Sequence, residues 1–78
     1  MTLQVKQVFS SNVTALAYDD ATSTLYVQWT NSKGGRASAY SGVPIDVYES
    51  LLRAPSIGGM IHSDIKGTYP TKYVNMPS

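Results

Sequence analysis

The chain has no cysteine. Disulfides, thiolate metal sites and a thiol nucleophile are thereby excluded, and a reducing compartment, the cytoplasm, is the expected location. With His62 as its single histidine, it also lacks the donors of an ordinary zinc site. Long apolar runs are missing as well. Nothing approaches the roughly 20 residues of a membrane-spanning helix, and the start, MTLQVKQVF, has one lysine and no apolar segment of signal-peptide length. Charge of one sign is scarce: six Lys and Arg against five Asp and Glu give a net +1. A strongly basic nucleic-acid footprint is therefore absent.

What remains is a chain of 78 residues, 42% of them hydrophobic. That length fits one domain, 1–78, with a packed core and no room for a second. A core of this size supplies only about 3–5 kcal/mol of net stability, so self-association would help it. Monomer and homodimer both stay open.

Alternation marks the first half as strands. Val5 to Phe9 reads as a first strand, followed by a Ser10-Ser11-Asn12 turn. Val13 to Tyr18 reads as a second, with Val13, Ala15 and Ala17 on one face and Thr14, Leu16 and Tyr18 on the other. Leu25 to Thr30 is the clearest, with Leu25, Val27 and Trp29 sharing a face. Asn31 to Gly35 supplies a glycine-bearing turn, and Arg36 to Tyr40 returns. Short connections predict an antiparallel meander of three to four strands.

The period then changes to that of a helix. Pro44 suits a helix start, and Asp46 and Glu49 favour its positive end. Val47, Tyr48, Leu51 and Leu52 form one apolar face. Pro55 disfavours a helical Ala54 and stops the helix. Ser56 can cap a second helix with Ile57, Met60, Ile61 and Ile65 on one side, closed by Gly67. The last few residues read as a tail. A one-faced sheet and two short C-terminal helices predict a two-layer α+β sandwich.

The ordered pieces Ser-Ser-Asn-Val, Tyr-Asp, Leu-x-Val-x-Trp, Gly-Gly, Tyr-x-x-Val-Pro, Tyr-x-x-Leu-Leu, Ala-x-Ser-x-Gly and Ile-Lys-x-x-Tyr resemble the KTSC domain. The resemblance runs from about Ser10 to about Tyr69. That module is named for its place at the C-terminus of some lysyl-tRNA synthetases, and it also stands alone in bacteria and phages. The resemblance implies a small module of unknown function for which RNA binding is suggested. If phage-encoded, such a chain would work in the host cytoplasm. The family's central Tyr-x-Tyr falls on Ser38 and Tyr40, so its first tyrosine is missing. Its aromatic and Asn ahead of Ile-Lys fall on Ile61 and His62.

Single strands bind where cations track phosphates and exposed rings stack on bases. The candidate cations are Lys33, Arg36, Arg53, Lys66 and Lys72; the candidate rings are Tyr26, Tyr40, Tyr69 and Tyr73. Arg36 and Tyr40 share a strand face, which Tyr26 joins if the register allows. Arg36, Tyr40, Arg53, Lys66 and Tyr69 are the expected nucleic-acid contacts. A plain alternative is that these are ordinary surface cations and half-buried tyrosines with wet hydroxyls.

The turn of Ser56, Gly58 and Gly59 can expose N–H groups to an anion, but lacks the spacing of a phosphate loop. A Ser cap with glycines for close packing is the simpler reading. His62, Ser63 and Asp64 are adjacent on a helix and cannot converge as a triad; His62 reads as the rim of an exposed face. Trp29 and Met60 read as core or core edge. No catalytic group, cofactor or metal is expected. The rival to RNA is a protein partner, such as a host protein if the chain is phage-encoded, held on an open sheet face or edge.

Overall fold

A computed structural model describes residues 3–7, 13–30 and 36–75. The strands β1 (Leu3–Gln7), β2 (Val13–Asp19), β3 (Thr24–Trp29) and β4 (Arg36–Tyr40) come first. The helices α1 (Ile45–Leu52) and α2 (Ile57–Met60) follow, then a π turn over Ile61–Ile65 and a last strand, β5 (Thr71–Asn75). All neighbours pair antiparallel in the order β1-β2-β3-β4-β5. The α+β meander with two short helices is thus the fold that the sequence predicts. The differences are local. The segment expected to be a tail forms a fifth strand on β4. The first strand lies at Leu3–Gln7 rather than from Val5. Phe9, the Ser10-Ser11-Asn12 turn and the Asn31 to Gly35 turn lie outside the described residues.

One sheet face carries the helices. Leu16 and Tyr18 stand opposite Val27 and Leu25, and Val27 and Leu25 stand opposite Ser38 and Tyr40. These residues, Ser38 apart, pack with Val43, Tyr48, Leu51, Ile57, Ile61 and Ile65 into one core. Val13 belongs to that core too. Simple alternation assigns it to the other face, with Ala15 and Ala17. A bulge between Val13 and Ala15 shifts the register and pairs Val13 with Trp29. One extra residue reverses the side on which a side chain emerges.

Pro44 precedes α1 in an extended conformation, with ψ 151°. Its carbonyl accepts from the N–H groups of Val47 and Tyr48 at 3.0 and 3.3 Å, so proline acts at the cap position rather than inside the first turn. Tyr48 and Leu51 are buried from α1 and Val47 and Leu52 are half-buried, as their spacing requires. Ser56 caps α2, its Oγ accepting from the Gly59 N–H at 3.2 Å. Beyond Met60 the helix widens: the Lys66 N–H donates to the Ile61 carbonyl at 2.7 Å, five residues back. Gly67, at φ +85°, ends the element in the left-handed region that glycine tolerates.

Candidate functional site

The helix-side face of the sheet grades from core to solvent in cross-strand rows. The innermost is Tyr18, Leu25, Tyr40 and Thr71; the next is Leu16, Val27, Ser38 and Tyr73. One more alternation along each strand adds Trp29, Arg36 and Asn75 to the same face. Tyr18, Leu25 and Tyr40 of the inner row are buried in the core with the helical residues, while Thr71 at its β5 end is exposed. The outer end is left to a rim of Trp29, Ser38, Tyr73, Arg36 and the exposed His62 of the π turn.

This rim has definite internal geometry. The Trp29 indole N–H donates to Ser38 Oγ at 3.1 Å. The ring centroids of Trp29 and His62 lie 5.5 Å apart at an interplanar angle of 38°. Ser38 is 3% exposed, the one buried polar side chain among the described residues. It stands beside Tyr40 on the same face of β4. Burial raises the Tyr40 phenol above the ordinary 10.0; the Ser38 side chain opposes that rise, and nearby Tyr73 adds to it. Tyr73 is the most open ring here, 75% exposed.

The expected site residues separate. Arg36 is exposed at one end of β4. Tyr40, at the other end, is only 3% exposed and sits in the core. It cannot offer a ring face to a base, because it is buried within the core cluster. Arg36 and Tyr40 do share that face; Tyr26 does not, since it pairs with Ala39. Lys66 and Tyr69 form a short parallel bridge beside the Tyr40 end of the strand, where the Ser41 N–H donates to the Pro70 carbonyl at 3.0 Å. Lys66 is exposed and Tyr69 half-buried. They are therefore remote from Arg36 by about the length of β4, roughly 13 Å. Arg53 is exposed after the last turn of α1, and no described contact joins it to the others. Lys33 lies outside the described residues.

The Ser56, Gly58 and Gly59 turn is a structural cap. The Gly59 N–H that an anion would use is given to Ser56 Oγ, and Gly58 is buried. The opposite sheet face carries Ala15, Ala17, Ala37 and Ala39, all at most 5% exposed. Across it runs the row Ala17, Tyr26, Ala39 and Lys72. Lys72 thus points away from the rim that holds Arg36 and Tyr73.

Sequence reasoning did not place three members of the rim, Trp29, Ser38 and His62, in a site. Trp29 reads as core edge and His62 as a solvated helix position, and each description is right. What is invisible in one dimension is that they meet. Among the described residues, no three His, Asp or Glu side chains gather as a metal site, and no helix is long and apolar enough to cross a membrane.

Fold and rim together define a small α+β module: a five-stranded meander with helices on one face and an aromatic, polar rim at which Arg36, His62 and Tyr73 are exposed. The chain belongs to the KTSC domain family, whose profile matches residues 9–69. It is similar to the crystal structure of a KTSC domain protein from Yersinia pestis, with a TM-score of 0.82 and 26% identity over 95% of this chain and 100% of that one. No curated protein sequence matches it.

Proposed function

We propose that this chain is a small non-catalytic module that binds single-stranded nucleic acid, RNA first, on the rim of Arg36, Tyr73, His62 and Trp29. The observation that carries the reading is the exposed Tyr73 ring, 75% open, on the same face as the exposed Arg36. One offers a stacking surface and the other a phosphate partner, the pairing that single strands use. The small net charge of +1 implies weak, local attraction rather than a broad basic footprint. The test is anisotropy of a labelled RNA of about 12 nucleotides at roughly 50 mM salt. Binding should weaken in Arg36→Ala and Tyr73→Ala and fall as salt rises. No binding by the wild-type chain would end the proposal.

A protein partner is the second reading. It is favoured by Ile45, which is 45% exposed on α1, and by β5, an edge strand open along most of its length. Capture from lysate that survives nuclease treatment and is lost on Ile45→Asp would favour it over RNA.

A further inference from the structure

We propose, resting on the single-strand reading above, that His62 and Trp29 form a stacking subsite for one nucleobase, with Ser38 as its positioning residue. The two rings come from different layers, the π turn and β3, and their 5.5 Å separation is that of aromatic rings in contact. His62 is exposed and Trp29 half-buried. The two rings are tilted by 38° rather than stacked, and the imidazole is the more open of the pair. A base laid on the exposed imidazole would join an aromatic pair whose inner member is anchored.

The anchor is Ser38. Its Oγ accepts the indole N–H at 3.1 Å, which holds the Trp29 ring edge toward β4, and Ser38 is itself buried at 3% exposure. A preorganised ring loses less freedom when a ligand stacks on it. Tyr73 lies two strands across and two residues along from Trp29 on the same face, about 12 Å away, and Arg36 stands on β4, the strand between them. One short strand can therefore place a base on His62, a phosphate at Arg36 and a second base on Tyr73. Ser38 touches no ligand in this arrangement and acts through Trp29.

The chain has one tryptophan and one histidine, so each reports on its own. Unlabelled single-stranded RNA of about 12 nucleotides should quench Trp29 fluorescence as it binds. His62→Ala should weaken binding by about 5- to 150-fold, the range for loss of one stacked base. His62→Tyr should restore it to within about threefold, because the ring and not the imidazole chemistry is required. Ser38→Ala should shift the Trp29 indole N–H resonance in the free protein and weaken binding less than His62→Ala does. If wild type binds with no Trp29 quenching, and His62→Ala binds as well as wild type, the subsite is wrong while the single-strand reading stands. If wild type binds no RNA, both fall.

Discussion

The indole N–H of Trp29 donates to the hydroxyl of Ser38 across the β3–β4 pair at 3.1 Å. It accounts for a serine on the core face of a central sheet position, where an apolar residue would otherwise be expected. Removing the oxygen strands a half-buried donor and leaves a small gap. Ser38→Ala should cost about 1–2 kcal/mol in urea unfolding. A variant as stable as wild type would show that the bond adds nothing to the fold.

Tyr18 and Tyr48 stack with centroids 5.0 Å apart and planes within 12°, yet their hydroxyls fare differently. Tyr18 donates to the Val43 carbonyl at 2.6 Å. The Tyr48 hydroxyl is buried with no partner among the described residues. Tyr18→Phe should therefore destabilise by about 1–2 kcal/mol, and Tyr48→Phe should be neutral or stabilising by up to about 1 kcal/mol. Equal losses from both would contradict the assignment.

Burial raises the phenols of Tyr40 and Tyr48 above 10.0. A group whose folded pKa exceeds its unfolded one contributes in full below the unfolded value and loses that contribution as pH climbs through the folded value. Stability should hold to about pH 9 and decline above about pH 10. The decline should be shallower in Tyr48→Phe; urea midpoints measured across this range would reveal it, and parallel curves would refute the burial effect.

Two glycines of the helical segment predict different failures. A Cβ at Gly67 meets nothing within 4 Å, but the backbone sits at φ +85°. Gly67→Ala should cost about 1 kcal/mol through conformation alone. At Gly59 the Cβ would lie 3.0 Å from Ser56 Oγ, so Gly59→Ala should act through the cap. Its cost should approach that of Ser56→Ala, about 1 kcal/mol, and combining the two should add little. Thermal unfolding of the three variants and the double variant checks both statements.

Much of this fold is legible in the chain. Leu25, Val27 and Trp29 alternate plainly because one side of β3 is dry. Tyr48 and Leu51 recur at helical spacing because α1 buries one stripe. The illegible parts have physical causes. Val13 changes face through a bulge, which composition does not signal. β5 is wet on both sides, so Thr71 to Asn75 carries little alternation to read. The π turn keeps Ile61 and Ile65 at a spacing that an ordinary helix also uses. Of the expected contacts, Arg36 joins the rim and Tyr40 is lost to the core, because exposure depends on which strand end the helices cover. Trp29 and His62 meet only after both layers are folded.

Among the described residues, the connection from β4 to β5 holds α1, α2 and the π turn, while only a few residues of sequence separate each earlier strand from the next. The first four strands can zip together hairpin by hairpin. The fifth must wait for α1, α2 and the π turn to close, and it is then held on one side only. Opening of β5 should thus be the cheapest excursion from the native state, visible as fast amide exchange over Thr71 to Asn75. Since β5 carries Tyr73, opening of β5 would take one side of the rim apart. A ligand that bridges Tyr73 to His62 would act as a clasp, slowing exchange along β5 beyond the one residue that it touches.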